Sequence, residues 1–213
     1  MADVRIKICG INAHDAMQCA IAARADFAGL VFFGPSPRNV TLAQAAALAE
    51  LSGASIGRVG LFVDADDSTI IAAVDAARLD AVQFHGSETP ERIGQLRARL
   101  GLPVWKAIAV RTADDIAASR KYAGAADLVL FDAKTPAGSL PGGMGLAFDW
   151  SLLRSYRGAM PWGLAGGLRP GNVQEALKIT DAPLVDVSSG VESAPGIKDL
   201  AGIAAFAKAV RAA

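Results

Sequence analysis

Short apolar runs alternate with amphipathic segments along the whole chain. Eight runs are apolar or alternate between apolar and polar positions, which is typical of buried strands. They predict strands at Val4–Cys9, Phe27–Phe33, Arg58–Asp64, Ala81–Gly86, Val104–Val110, Leu128–Asp132, Trp162–Gly166 and Leu184–Ser188. Where apolar residues instead recur every three or four positions, helices are predicted at Asn12–Arg24, Thr41–Leu51, Asp67–Arg78, Thr89–Leu100, Ala113–Tyr122, Trp150–Tyr156, Pro170–Ile179 and Ile197–Arg211.

Strict alternation of strand and helix favours right-handed crossovers and a parallel α/β sheet. The 213 residues leave about 27 for each of eight units, which suffices when loops are short. Eight units close a barrel, so we predict a single (β/α)8 TIM barrel domain spanning residues 1–213. The alternative is a doubly wound open sheet. An open sheet of this kind usually has a glycine-rich, dinucleotide-binding turn directly after its first strand. The segment from Cys9 to His14 does not have that pattern.

In such a barrel the catalytic face is the rim at the C-terminal ends of the strands. Two of the predicted rim loops are longer than the rest, Gly34–Val40 and Ala133–Asp149. The second contains Gly138, Gly142, Gly143 and Gly145, and this glycine density makes it a candidate lid over a ligand. A plain flexible insertion is the alternative.

Charge and composition narrow the class of ligand. The 21 basic and 21 acidic residues cancel, which gives no net field for nucleic acid or an anionic membrane. The first residues lack a signal-peptide pattern and no apolar run approaches the length of a membrane span, so we expect a soluble cytoplasmic protein. A small, locally recognised molecule is the expected partner.

The two cysteines form neither a disulfide framework nor a zinc-binding pattern. Cys9 alternates with Arg5 and Lys7 on one face of the first strand, and the opposite, apolar face should meet the helices. We therefore expect Cys9 to point into the barrel at its rim. An inert buried thiol is the alternative, and Cys19, within a helical pattern, fits that alternative well.

Three more polar side chains end or follow predicted strands. Asp132 ends an apolar strand, where partial burial would keep a protonated form available as a general acid; a helix cap or an ion pair with Lys134 is the alternative. Arg38 lies in a proline-stiffened loop and is suited to a bidentate grip on a carboxylate, or else is simply solvated. His85 follows the fourth strand as a hydrogen-bonding rim residue, and His14 is the only other histidine, so no metal site is predicted.

Small residues follow the last two strands. Gly166 and Gly167 come after the seventh, and Ser188, Ser189 and Gly190 come after the eighth. Loops after these strands bind phosphate through backbone N–H groups in barrels of this kind, and small residues permit that approach. Turn glycines would explain each group alone, but together they favour a phosphorylated ligand.

With these residues in view, the chain resembles the phosphoribosylanthranilate isomerase family, whose members are (β/α)8 enzymes of tryptophan biosynthesis. The motifs that carry the resemblance run in order along almost the whole chain. They are Lys7-Ile8-Cys9-Gly10, Gly34-Pro35-Ser36-Pro37-Arg38, Val82-Gln83-Phe84-His85-Gly86, Phe131-Asp132, Gly142-Gly143-Met144-Gly145 with Phe148-Asp149-Trp150, Leu164-Ala165-Gly166-Gly167-Leu168 and Asp186-Val187-Ser188-Ser189-Gly190-Val191-Glu192.

The resemblance implies an Amadori rearrangement without metal or cofactor. It implies Asp132 as the general acid that opens the furanose ring and Cys9 as the base that removes the C2 proton, helped by a pKa lowered by Lys7 or other basic neighbours. Arg38 would meet the anthranilate carboxylate. The substrate-binding set implied is Arg38, Gln83, His85 and Asp186, and the phosphate-binding set is Gly166, Gly167, Ser188, Ser189 and Gly190.

One residue departs from the family pattern, and two alternative functions have to be considered. Met144 stands where the family usually has a polar lid residue, which puts lid behaviour and turnover in question. The histidine-pathway aminoaldose isomerases demand an acid where Cys9 stands, so Cys9 decides against them. A catalytically silent barrel that binds a phosphorylated ligand stays open. No exposed apolar stripe is evident, so we expect a monomer.

Overall fold

Eight parallel strands close into a barrel in chain order, with β1 pairing to both β2 and β8. The computed structural model describes residues 4–133, 145, 147–154, 156, 158 and 160–213. The strands are β1 Arg5–Cys9, β2 Phe27–Phe32, β3 Gly57–Phe62, β4 Ala81–Phe84, β5 Val104–Val110, β6 Leu128–Ala133, β7 Trp162–Leu164 and β8 Leu184–Val187. The predicted (β/α)8 barrel is confirmed, and the open sheet is excluded.

Seven α-helices among the described residues surround the barrel. They are α1 His14–Ala22, α2 Leu42–Ser52, α3 Asp67–Ala77, α4 Pro90–Leu100, α5 Ala113–Ala117, α6 Val173–Thr180 and α7 Leu200–Arg211. Four of them begin where a side-chain oxygen accepts a hydrogen bond from a backbone N–H of the first turn; the capping residues are Thr41, Asp66, Thr89 and Asp199. No helix in the described ranges combines the length and apolar character that a membrane crossing requires.

Two predicted helices are shorter and tighter than expected. The segment predicted as Trp150–Tyr156 is a 3-10 turn at Trp150–Leu153, where the carboxylate of Asp149 accepts a hydrogen bond from the N–H of Ser151. The segment predicted as Ala113–Tyr122 changes from α-helix to a 3-10 helix at Ala118. Periodicity alone does not separate these states, because 3.0 and 3.6 residues per turn give nearly the same pattern over one or two turns.

The prediction that the last helix starts at Ile197 is wrong. Strands β9 Glu192–Ala194 and β10 Ile197–Lys198 form an antiparallel hairpin between β8 and α7. Gly196 turns the chain at φ +80°, and α7 begins only after Asp199, whose carboxylate accepts a hydrogen bond from the N–H of Ala201. This hairpin, residues 192–198, contributes two charged side chains to the rim.

Side chains alternate across the barrel wall as predicted. On β1, Ile6 and Ile8 join the apolar layer beneath the helices, whereas Lys7 and Cys9 lie inside. The guanidinium of Arg5 lies at the exposed lower end, 5.8 Å from the centroid of the Phe27 ring. A lower interior layer consists of Val59, Ala81, Trp105, Leu128, Leu130 and Leu184. This apolar layer forms the floor of the rim site.

The same hydrogen-bonding pattern recurs three times at the N-terminal ends of the strands, the lower rim of the barrel. An aspartate precedes each of β2, β4 and β6, and its carboxylate accepts a hydrogen bond from the first part of the preceding strand. The pairs are Asp26 with the N–H of Ile6 at 2.8 Å, Asp80 with Arg58 at 2.7 Å and Asp127 with Val104 at 2.8 Å. Each aspartate N–H donates in return to the carbonyl of the same residue. These hydrogen bonds fix the register of neighbouring strands at the end of the barrel opposite the C-terminal rim.

Replacing Asp26 tests this hydrogen-bonding pattern. Asp26→Ala leaves the N–H of Ile6 without its protein acceptor, so the free energy of unfolding should fall by about 1 kcal/mol. Asp26→Asn keeps an acceptor oxygen in place and should lose less than half as much. Urea unfolding followed by circular dichroism measures both. Equal losses, or none, would contradict the role given to this hydrogen bond.

Candidate active site

The thiol of Cys9 lies at the upper end of β1, inside the barrel. Cys9 is 6% exposed and packs with Val31 and Leu61. Gly29 on β2 leaves space for it, because a Cβ at Gly29 would lie 2.9 Å from the Cys9 Sγ and 3.1 Å from the Lys7 Nζ. A thiol and an ammonium group therefore occupy the same corner of the barrel mouth.

Lys7 is fully buried and paired with Asp186 of β8. Its Nζ lies 2.8 Å from the Asp186 Oδ2. Burial lowers the pKa of Lys7, but the charges of Asp186 and Cys9 raise it, and the net pKa is above the ordinary value. Lys7 is consequently a cation at neutral pH.

The pKa of Cys9 departs from the sequence-based expectation. Burial raises the pKa of the thiol above its ordinary value of 9.0, since a thiolate loses hydration inside the barrel. Lys7 and Lys198 lower this pKa, and Asp186 raises it. Lys7 does lower the pKa of Cys9, as expected, but the increase caused by burial is larger. Cys9 is therefore a thiol at neutral pH in the absence of ligand.

Asp132 and His85 face each other across the rim. Asp132 lies in β6, three strands from β1 around the barrel, and is 8% exposed. Its Oδ1 accepts a hydrogen bond from the N–H of Ala133 at 2.8 Å, and its Oδ2 lies 3.3 Å from the Nε2 of His85. The alternative partner, Lys134, lies outside the described residues. The carboxyl group is thus oriented by two neighbours, of which sequence reasoning anticipated neither.

Arg38 is held by a carboxylate of the chain itself. Its Nε and Nη2 donate hydrogen bonds of 2.8 and 2.7 Å to the two carboxylate oxygens of Glu192 on β9. Glu192 also accepts a hydrogen bond of 2.8 Å from the Nζ of Lys198. The bidentate grip predicted for Arg38 is therefore made with Glu192, which fixes the guanidinium at the rim.

The loops after β7 and β8 touch each other through glycines. Gly166 and Gly167 have φ values of +84° and +67°, which other residues rarely adopt. A Cβ at Gly190 would lie 1.8 Å from the carbonyl oxygen of Leu168, so the two loops approach at backbone distance. The Nδ2 of Asn172 donates to the Gly167 carbonyl at 2.9 Å and holds the first loop in place.

Several buried polar atoms at the upper end of the barrel have no hydrogen-bond partner among the described residues. They are the Gln83 Oε1, the His85 Nδ1, the Asp186 Oδ1 and the Ser188 Oγ. Buried polar groups are almost always paired in folded proteins, so a group of unpaired ones needs an explanation. A polar ligand among these side chains supplies one.

Most of the predicted lid lies outside the described residues, including Gly138, Gly142, Gly143 and Met144. The part that is described reaches the glycine loops: a Cβ at Gly167 would lie 2.8 Å from the Cβ of Ala147, and one at Gly145 would lie 3.7 Å from the Ser189 Oγ. The end of the β6 loop therefore borders the loops after β7 and β8.

The sequence profile of N-(5'-phosphoribosyl)anthranilate isomerases matches residues 6–209. The chain belongs to the N-(5'-phosphoribosyl)anthranilate isomerase family. An isomerase of this name from Paramagnetospirillum magneticum is 54% identical over 209 residues, covering 98% of this chain and 97% of that protein.

Solved structures of the isomerase family match in fold as well. The enzyme from Thermotoga maritima is 34% identical, with a TM-score of 0.88 over 99% of this chain and all of that one. A second structure, of an isomerase in complex with reduced 1-(o-carboxyphenylamino)-1-deoxyribulose 5-phosphate, is 32% identical, with a TM-score of 0.86 and the same coverage of both chains.

Two charged residues beside Arg38 at this rim were not predicted from the sequence. Glu192 and Lys198 were not assigned a role, although they flank the turn signal Pro195-Gly196 and carry opposite charges. A hairpin about that turn brings the two side chains together, and this signal was available in the sequence.

The thiol pKa gives a direct test of the site electrostatics. In a Cys19→Ser protein, Cys9 is the only thiol, and its alkylation by iodoacetamide should follow a titration with a midpoint above 9.0. The rate should rise about tenfold per pH unit below that midpoint, because only the thiolate reacts. A midpoint below 8 would show that the cations, and not burial, dominate.

Proposed function

We propose that this protein is an N-(5'-phosphoribosyl)anthranilate isomerase that makes 1-(2-carboxyphenylamino)-1-deoxyribulose 5-phosphate, a step of L-tryptophan biosynthesis. The observation that carries the proposal is the convergence of a thiol, Cys9, and a carboxyl group, Asp132, on one rim. Acid–base isomerisation of a sugar needs one group that gives a proton to the ring oxygen and another that takes a proton from carbon. Family membership supplies the substrate class.

Asp132 is the general acid in this proposal. It protonates the furanose ring oxygen, the bond from that oxygen to C1 breaks, and the anilino nitrogen supplies the electron pair of the resulting iminium ion. His85, whose Nε2 lies 3.3 Å from the Asp132 Oδ2, orients the carboxyl group for this transfer. The Ala133 N–H holds the other oxygen.

Cys9 is the general base. The iminium ion makes the C2 proton acidic, the Cys9 thiolate removes it, and the electron pair left on C2 forms the double bond of an enolamine. Tautomerisation then moves the hydroxyl proton of C2 onto C1 and gives the ketone. Because the pKa of the thiol is raised in the free protein, the reactive thiolate fraction grows with pH through the neutral range.

The binding groups are arranged around these two. In this proposal Arg38 contacts the anthranilate carboxylate while Glu192 holds its guanidinium. The unpaired buried atoms of Gln83, His85 and Asp186 support hydrogen bonds to the sugar hydroxyls. A guanidinium already fixed by Glu192 loses little conformational freedom on binding.

The phosphate lies, in this proposal, between the loops after β7 and β8. The residues that would bind it are Gly166, Gly167, Ser188, Ser189 and Gly190. Backbone N–H groups of these loops form the phosphate site of many (β/α)8 barrels. The contact of Gly190 with Leu168 and the unpaired Ser188 hydroxyl support this placement.

Turnover of freshly made phosphoribosylanthranilate, followed by loss of its fluorescence, tests the function. The unaltered protein should turn over the substrate, and kcat/KM should rise with pH as Cys9 loses its proton. Cys9→Ser and Asp132→Asn should each lower kcat by at least ~10²-fold, which is the range that general catalysts supply. Near-normal turnover by either folded variant would contradict the role of that residue.

Arg38→Ala tests recognition of the carboxylate. Loss of a charged hydrogen bond should weaken binding by about 1.5–3 kcal/mol, and a ligand without the carboxylate should be affected much less. Arg58→Ala is the matched control, because Arg58 is 9% exposed and is paired with Asp80 at the opposite end of the barrel. Equal losses for both ligands would show that Arg38 acts on structure instead.

A further inference from the structure

Lys198 is a buried cation that the proposed reaction does not yet use. Its side chain is 1% exposed, and its Nζ donates hydrogen bonds to the Ser188 carbonyl at 3.0 Å and to the Glu192 Oε1 at 2.8 Å. An ammonium group is costly to bury unless it is paired and fully hydrogen-bonded. Its presence at the rim therefore calls for an explanation beyond surface charge.

The strand register places Lys198 beside Cys9. Lys7 pairs with Asp186 and Ile8 with Val187 between β1 and β8, so the end of β1 lies level with Ser188, whose carbonyl accepts the Lys198 hydrogen bond. The same charged network reaches the residue after Cys9 from the other side. A Cβ at Gly10 would lie 2.6 Å from the Cδ of Arg38, which Glu192 also holds.

Three charged groups act directly on Cys9, from three elements. Lys7 on its own strand and Lys198 on β10 favour the thiolate, whereas Asp186 on β8 disfavours it. Lys7 lies 2.8 Å from Asp186, whose charge opposes the effect of Lys7 on the thiol. The counterion of Lys198 is Glu192, which Lys198 shares with Arg38. Both carboxylate oxygens of Glu192 accept hydrogen bonds from Arg38, and one of them also accepts from Lys198.

The interaction is mutual. Burial, together with the smaller effect of the Arg38 charge, lowers the pKa of Lys198 below its ordinary value, while Glu192 and Cys9 raise it. Burial raises the pKa of Glu192, but Arg38 and Lys198 lower it further than burial raises it, so it is a carboxylate at neutral pH. Glu192 thus lies between Arg38 and Lys198 and accepts hydrogen bonds from both.

We propose that Lys198 is a positioning residue for proton transfer at Cys9: held by Glu192 and the Ser188 carbonyl, its ammonium stabilises the thiolate that removes the C2 proton. This role rests on the proposed isomerase function, because it acts through the base of that reaction. The hairpin of β9 and β10 thereby fixes two cations at once, Arg38 for the ligand and Lys198 for the base.

A purely structural role for Lys198, tying the hairpin to β8, is the competing explanation. The chain offers a matched ion pair to separate the two. Lys106 and Glu88 lie 2.9 Å apart and are 3% and 5% exposed, against 2.8 Å and 1% and 4% for Lys198 and Glu192. The Lys106 ammonium donates to the Phe84 and Gly86 carbonyls at and just after the end of β4, whereas that of Lys198 donates to the Ser188 carbonyl, level with the end of β1.

The experiment compares Lys198→Met with Lys106→Met, both in the Cys19→Ser protein. The pH dependence of Cys9 alkylation by iodoacetamide is measured without substrate, and thermal unfolding is measured in parallel. Loss of the nearby cation should raise the Cys9 pKa by about one unit in Lys198→Met. Lys106→Met should leave that pKa unchanged while lowering the unfolding temperature.

A kinetic measurement adds a second readout. At pH 7 the kcat/KM of Lys198→Met should fall about tenfold, since a rise of one pKa unit leaves a tenth of the thiolate, and the loss should shrink as pH rises. Lys198→Gln, which can still donate to Ser188 and Glu192, should show the same pKa shift and serves if the methionine variant does not fold.

An unshifted Cys9 pKa in the folded Lys198 variants, or an equal shift in Lys106→Met, would overturn the proposal. The alkylation readout needs no substrate, so it separates this proposal from the function. If the unaltered protein fails to turn over phosphoribosylanthranilate while the pKa still shifts in Lys198→Met, the catalytic part of the role fails with the function. If it is active and the pKa does not shift, only the role of Lys198 fails.

Discussion

The ion pair between Lys7 and Asp186 joins the first and last strands of the barrel inside its wall. The ammonium is fully buried, and the two groups lie 2.8 Å apart on β1 and β8, the strands whose pairing closes the sheet. Breaking such a pair by removing one partner leaves a buried unpaired charge, which is strongly destabilising. The register of this closure sets the height of Cys9 in the barrel, and both charges of the pair act on the thiol.

The rim above this pair is built by segments far apart in sequence. The hairpin at residues 192–198 contacts the loop after β1, where the Asn12 Nδ2 donates to the Gly196 carbonyl at 3.0 Å, and the loop after β2, where Glu192 holds Arg38. A Cβ at Gly196 would lie 2.4 Å from the Pro37 carbonyl oxygen, so only glycine permits this approach. Arg38 and the segments around Cys9 therefore share one support, the hairpin.

The sequence predicted the fold because strand and helix periodicities differ, and because eight alternating units without a glycine-rich dinucleotide turn after the first strand favour a closed barrel over an open sheet. It also predicted the inward direction of Cys9, since the apolar residues of β1 occupy the opposite face. The position of Asp132 at the rim was predicted because a polar residue that directly follows an apolar strand usually lies at the end of that strand.

The remaining features depend on contacts between distant segments. Glu192 reaches Arg38 across 154 positions, and no local pattern reveals that the arginine fork is already engaged. The Cys9 pKa depends on the balance between burial and three charges, and only the position of the thiol in the fold determines which term is larger. The hairpin was missed because the apolar residues after Pro195-Gly196 continue the period of α7.

A crystal structure of this protein with reduced 1-(2-carboxyphenylamino)-1-deoxyribulose 5-phosphate tests the central claim most directly. The account predicts the phosphate on the backbone N–H groups of the loops after β7 and β8 and the carboxylate on Arg38. The Cys9 Sγ should lie within about 4 Å of C2, with the Asp132 carboxyl within hydrogen-bond distance of the hydroxyl derived from the ring oxygen. A ligand bound with its sugar carbons remote from both side chains would contradict the account.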